Sequence, residues 1–223
     1  MQIRGMTEED YRRARRLLMR GDPVMQALIR RIGPCRLAGS LHADPFESLV
    51  QAIVWQQLSW KAALTIYRRV QAIFDGGRCP TARELVGAPD APLRAAGLSR
   101  PKIRYLKDLA ARAADGSLPL AALEKMDDES VIEALTQVKG IGRWSAEMFL
   151  IFKLHRPDVL PVDDLAIQKA IQRAYGLRKL PSAKRMLQLG EPWRPYRSIA
   201  SWYLWESLDK TPVTKTNTER TRK

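Results

Sequence analysis

The chain has 223 residues, 45% of them hydrophobic, which is enough for a real core in one domain or two small lobes and excludes a disordered chain. Lys and Arg number 38 against 24 Asp and Glu, a net charge of +14, so a polyanionic partner is the first physical expectation. Two Cys and two His exclude a disulfide framework and a four-thiolate iron–sulfur cluster and leave little for a zinc site, and no apolar run of about 18 residues offers a membrane span.

The opening MQIRGMTEEDYRRARRLL is charged throughout and does not read as a secretory signal, so a cytoplasmic protein is expected, nucleoid-associated if bacterial. Thr7 and Asp10 form a capping box for a first helix whose apolar side is Tyr11, Ala14, Leu17 and Leu18. Asp22-Pro23 starts a second helix, which stops at Gly33-Pro34. Asp44-Pro45 opens a third, with Phe46, Leu49, Val50, Ile53 and Val54 on one face, before Gln56, Gln57 and Ser59 break the stripe. A helix from Trp60 to Phe74 follows, then short ones capped by Thr81 and Asp90. The stretch LSRPKIRYLKDLAARAADG buries Ile103, Leu106, Leu109 and Ala110 and exposes Arg100, Lys102, Arg104 and Lys107. Short helices over Leu120–Met126 and Asp128–Thr136 come next, and later ones start after Asp164, at Pro181-Ser182 and at Pro192. The last is aromatic-rich and runs to Leu208; residues 210–223 carry no apolar periodicity and read as a disordered basic tail. No alternating run of strand length occurs, so the chain is expected to be all-α.

Function is expected to sit in LTQVKGIGRWSAEMFLIFKLHRPDVLPVDDLAIQK, residues 135–169. Gly140 and Gly142 sit at a joint between two apolar-periodic helices, where they permit a tight hairpin and close backbone approach by a ligand. The amides around Gly140 to Arg143 then point outward at a helix N-terminus, a ready phosphate site. Taken alone, such a pair of glycines more often marks a plain joint between helices. Likewise Asp163-Asp164 alone reads as a cap plus a complement to the helix dipole.

The neighbours change that balance. VKGIGRWSAEM resembles the helix–hairpin–helix DNA-binding motif, and PVDDLAIQKA resembles the loop and Asp that follow it in the helix–hairpin–helix DNA glycosylase superfamily. DPFESLVQAIVWQQLSWKAA, GLSRPKIRYLKDLA and WRPYRSIASWYLW look like helices of the alkylpurine branch, the 3-methyladenine-DNA glycosylase II family. Five such stretches in the right order, over roughly Asp44 to Leu208, make the resemblance specific. Fewer residues precede the core than in long members, so a short form lacking the N-terminal β-domain is implied. The resemblance implies two helical lobes with an active-site cleft between them. Residues 41–156 would carry the hairpin, at about 136–144. Residues 1–40 with 157–209 would carry the catalytic Asp.

The family's catalytic carboxylate falls on Asp164, which leaves Asp163 as the candidate structural cap. Bifunctional members carry a Schiff-base Lys just after the hairpin; this chain has Trp144 there, and neither Lys139 nor Lys153 matches that position. A monofunctional enzyme is therefore implied: it flips an alkylated purine such as 3-methyladenine or 7-methylguanine, hydrolyses its bond to the sugar and leaves an abasic site without lyase activity. Trp144 and Trp205 fall on aromatic base-pocket positions, Met148 lies one turn after Trp144, and Trp202 shares a helix face with Trp205, though a core role suits Trp202 better. Gln56, Gln57 and Leu58 resemble the loop that fills the gap left by a flipped base, with Leu58 as wedge or as a core Leu at a helix end. Lys139, Gly140, Gly142, Arg143 and Ser145 are the implied DNA-backbone contacts, Lys139 replacing a frequent Pro and adding charge. Main-chain oxygens of Thr136, Val138 and Ile141 are the positions for a structural Na+ or K+, with no other cofactor required. The implied partner is double-stranded DNA bearing alkylated bases, met by a monomer without membrane contact. The alternatives are a non-catalytic hairpin module for damaged or branched DNA, a glycosylase for oxidised or mismatched bases, and, more distantly, a membrane-surface protein.

Overall fold

The computed structural model describes residues 6–37 and 44–209, and among them the regular structure is entirely helical. The tail expected over residues 210–223 lies outside the described residues, as does the lobe start expected at Leu41. The chain divides into two compact units, Met1–Asp10 with Arg36–Val159 and Tyr11–Cys35 with Leu160–Lys223. The expected lobe of 41–156 thus extends to Val159, and residues up to Asp10 group with it. The later boundary has a physical cause: Arg156 is buried and donates to the main-chain oxygens of Glu124 and Met126 at 3.1 and 2.7 Å, which ties its segment to the first unit.

In the first unit, α3 (Pro45–Trp55), α4 (Trp60–Gln71), α5 (Ala82–Gly87), α6 (Asp90–Ala95), α7 (Arg100–Asp115), α8 (Asp128–Thr136) and α9 (Arg143–Phe152) follow in order. Their starts are written in side chains. Asp44, Ser59, Ser99 and Asp127 each accept a backbone N–H of the first turn, and Thr81 with Glu84 completes a reciprocal capping box. The expected apolar stripes meet: Leu49, Val50, Ile53 and Val54 of α3 and Ile103, Leu106, Leu109 and Ala110 of α7 are all buried, and α3 packs on α7, α4 and α9. Each such Leu, Ile or Val side chain stabilises the fold by about 1.5–3 kcal/mol. Lys102, expected on the exposed side of its helix, instead turns its ammonium onto the carbonyls of Val54 and Gln56, both at 2.7 Å. Burial pulls its pKa below the ordinary lysine value.

The second unit holds most of α1 (Glu8–Gly21) with α2 (Pro23–Ile32), α10 (Leu165–Ala174), α11 (Ala183–Leu189) and α12 (Arg197–Asp209). The Thr7–Asp10 box that starts α1 forms as read, with the Thr7 hydroxyl donating to the Asp10 carboxylate at 2.6 Å and accepting the Asp10 N–H at 3.2 Å. The last helix begins at Arg197 rather than Pro192, because Pro192 and Pro195 cannot extend its hydrogen-bond ladder. α12 packs on α2 and α10, and its stretch from Ser198 to Leu204 is buried on every side. Asp22 does more than cap α2. Its buried carboxylate accepts the Val24 N–H at 2.8 Å, the Trp193 Nε1–H at 2.9 Å and the Tyr175 hydroxyl, so three segments of the second unit converge on one carboxylate.

Candidate functional site

The hairpin between α8 and α9 is built on Gly140. Its φ is +81°, the left-handed region that favours glycine, and a Cβ there would lie 2.2 Å from the Tyr105 ring of α7. Gly142 differs: its φ is −95° and a Cβ would meet nothing within 4 Å. Gly142 is thus required by neither conformation nor packing, which leaves an open backbone at the N-terminus of α9, where amides face outward.

Asp108 fastens the hairpin from behind. Its carboxylate accepts the Lys139 N–H at 3.0 Å and pairs with the Lys139 ammonium at 3.4 Å and with Arg112 at 3.1 Å. Burial pushes the Asp108 carboxyl up, but the Lys139 N–H and the Arg112 guanidinium outweigh it and hold the group below the usual carboxylate range. Asp108→Ala is expected to cost about 1–2 kcal/mol of stability. That contribution is present above the unfolded carboxyl value of about 4 and is lost as pH falls through the lowered folded value. Melting curves of both proteins between neutral and strongly acid pH check this; they should converge at the acid end.

The turn after α3 is tied to the same hairpin. The Gln56 side chain donates to the Gly140 carbonyl at 2.8 Å, while Lys102 holds the Gln56 carbonyl. Gln57 takes a φ of +57°, rare for a side chain of its size, and with Leu58 it stands exposed. The structure therefore brings together Gln56, Gln57, Leu58, Lys139 and Gly140, which are far apart in the chain. Two of the implied DNA contacts carry ion partners: Lys139 pairs with Asp108, and Arg143 pairs with Glu129 at 2.6 Å and Glu147 at 3.2 Å.

On α9, Trp144, Met148 and Phe152 recur every four residues and form one row, with Trp144 and Phe152 exposed. Met148, Phe152 and Ser145 line a cavity of about 350 Å³ against Trp55 of α3 and Trp60 of α4. Ser145, expected among the DNA-backbone contacts, is thus part of a cavity wall. The sequence did not single out Trp55, Trp60 or Phe152; Trp60 and Phe152 are exposed and Trp55 is half-buried, and only the packing of three helices joins them.

The carboxylate pair lies in the second unit. Here the expected division of labour is corrected. Asp163 is exposed, and Asp164 is the N-cap of α10, its Oδ1 accepting the Ile167 N–H at 2.8 Å. The helix starts at Leu165, which puts Asp164 and not its neighbour at the capping register. The same Oδ1 accepts the Trp205 indole N–H at 3.3 Å, so the structure joins two residues singled out separately. Asp164 is only 7% exposed, which keeps an anion in a fixed place at a helix N-terminus, where the dipole favours it. Trp202 does not join them: its ring is buried, edge-on to Tyr203 with centroids 5.0 Å apart, and belongs to the core.

A carboxylate pinned beside an indole and a glycine hairpin with an open helix start are the parts found here. Residues 50–195 match the family model described as "HhH-GPD superfamily base excision DNA repair protein". The chain is 38% identical over 196 residues to DNA-3-methyladenine glycosylase 1 of Schizosaccharomyces pombe, covering 87% of this chain and 86% of that protein. It is 32% identical over 201 residues to an alkylbase DNA glycosidase-like protein of the same organism, covering 89% and 94%. The solved S. pombe 3-methyladenine DNA glycosylase, in complex with abasic DNA, superposes with a TM-score of 0.79 at 37% identity, covering 89% of this chain and 97% of that one.

Proposed function

The chain belongs to the HhH-GPD superfamily of base excision DNA repair proteins, and from that footing we propose that it is a monofunctional DNA glycosylase that excises alkylated purines. The observation that carries this reading is Asp164, a buried carboxylate fixed by the start of α10 and by Trp205. In the reaction the bond between C1′ and the base nitrogen breaks and its electron pair leaves with the base. Positive charge grows on the sugar, and Asp164 stabilises it electrostatically. A water oxygen bonds to C1′, and its proton passes to Asp164 or to solvent. Alkylation at N3 or N7 makes the purine cationic, so the leaving group asks little of a general acid. Trp144 and Met148, in one row on α9, offer it polarizable surface, an aromatic face adding about 0.5–2 kcal/mol for a cation. Because residue 144 is Trp, no amine stands at the position from which bifunctional members attack the sugar.

Gly140, Gly142, Lys139 and Arg143 take the phosphate backbone, and the Gln56–Leu58 turn takes the space vacated by the flipped nucleotide. Lys139 and Arg143 exchange their carboxylate partners for phosphate on binding. A Na+ or K+ on the main-chain oxygens of Thr136, Val138 and Ile141 fits a hairpin in which the Val138 carbonyl accepts the Ile141 N–H at 3.1 Å and keeps a second lone pair. The ion would add positive charge beside the phosphate, and the reading requires no other cofactor. The protein acts on double-stranded DNA as a monomer, in the cytoplasm or at the nucleoid; no helix among the described residues is long and apolar enough to cross a membrane.

The test is incubation with methylated duplex DNA, with released bases separated by chromatography and strands examined before and after alkali. Release of 3-methyladenine or 7-methylguanine with nicking only after alkali is expected. Binding without release would favour the hairpin-module reading, and enzyme-dependent nicking without alkali would overturn the monofunctional one.

A further inference from the structure

We propose that Trp60 is a specificity-determining residue whose indole stacks on the purine received by the cavity between α3, α4 and α9; this rests on the glycosylase reading above. Trp60 is 70% exposed, the most exposed large apolar side chain among the described residues. It does not stand alone: with Trp55, Met148 and Phe152 it lines one cavity, so the exposed indole belongs to a contiguous apolar surface. It is not loose. Trp60 is the first residue of α4, whose start is capped by Ser59, and its ring lies 5.6 Å from that of Trp55 at an angle of 59°. Trp55 is braced in turn by Tyr67, centroids 5.3 Å apart edge to face, and the Tyr67 hydroxyl donates to Glu47 at 2.7 Å. A chain of contacts thus runs from α3 through two rings to one exposed indole.

The cavity below it is the right kind of place for a heterocycle. Its volume of about 350 Å³ is lined by Trp55, Trp60, Met148 and Phe152, with Ser145 and Lys153 among its polar groups. That is a mostly apolar wall with few hydrogen-bonding groups, as in sites for flat aromatic ligands. Position adds the second argument. Trp60 stands two residues beyond Leu58, in the segment tied to the hairpin through Gln56. An indole there meets a nucleotide that leaves the duplex at that turn. Stacking is tolerant of base identity, so Trp60 would widen the range of accepted purines and favour cationic ones.

The experiment uses the full chain with Trp60→Ala and Trp60→Phe. Each is assayed at subsaturating protein for 7-methylguanine release from methylated duplex. Each is also titrated with a duplex carrying a pyrrolidine abasic-site mimic, which presents no base. For Trp60→Ala, release is expected to fall roughly 10-fold or more while affinity for the pyrrolidine duplex stays as in the wild type. Trp60→Phe should recover most of the loss, and both should still melt cooperatively, losing only the contact between the exposed ring and Trp55. Wild-type release by Trp60→Ala would overturn the proposal. So would an equal loss on both duplexes, which marks a contact with the DNA backbone instead. Absence of release by the wild-type protein would reject the glycosylase reading and is separable from either outcome.

Discussion

Asp164→Asn is expected to lower single-turnover base release by about 100- to 1,000-fold, the range seen when a group aimed at transition-state charge is removed. The substitution suits the question because Asp164 has two duties. It caps α10 through the Ile167 N–H, and it supplies a negative charge beside Trp205. Asn is as good an N-cap as Asp, so the helix start survives and stability should change by under about 1 kcal/mol. The charge does not survive. Chromatography of bases released from methylated duplex, beside a melting curve of the same preparation, separates the two duties. A folded Asp164→Asn protein working at the wild-type rate would end the claim that this carboxylate is catalytic. The neighbour serves as the control: Asp163→Asn alters an exposed side chain and should leave release unchanged.

Gly140→Ala should be far more damaging than Gly142→Ala, although the two glycines are two residues apart. At Gly140 an Ala is held at a φ of +81°, and its Cβ lies 2.2 Å from the Tyr105 ring. The conformation costs about 1 kcal/mol or more, and displacing a ring packed on α7 adds to it, for a total of about 2–4 kcal/mol. The clash with Tyr105 also shifts the residue-140 carbonyl that receives Gln56, which strains the tie to the turn after α3, and DNA affinity should fall at least about tenfold. At Gly142 an Ala is sterically free, and stability should be near that of the wild type. Affinity lost there without stability reports a phosphate that comes close to the backbone. Urea titration and fluorescence anisotropy with a labelled duplex give both numbers; equal stability losses in the two variants would contradict this division.

The elements were legible because their signals are local. Thr7 with Asp10, Asp22 before Pro23, Asp44 before Pro45 and Thr81 with Glu84 each sit within three residues of the backbone they cap. The glycine hairpin was legible for the same reason. What was not legible depends on partners remote in sequence. Asp108 is 31 residues from the Lys139 amide it holds, Gln56 is 84 from Gly140, and Lys102 is 46 from the Gln56 carbonyl. Nothing in the helical period of α7 foretells that Lys102 turns its ammonium onto the carbonyls of Val54 and Gln56. The cap assignment failed by one residue, since an adjacent Asp pair offers two registers and only the first turn of α10 decides between them. The cavity beside Trp60 needed three helices brought together before its lining could be seen.

The ties among Gln56, Gly140 and Lys102 have a consequence for how the protein would search DNA. Each engages main-chain oxygens, and together they immobilise a turn that already includes a residue at positive φ. The ordering cost of that turn is met once, when the chain folds, and not again at every encounter. A stiff edge sampling a duplex gains little from intact, well-stacked pairs and most from sites where stacking is already weak. Discrimination would then begin before any base reaches the carboxylate, as a mechanical test of the helix that damaged pairs fail.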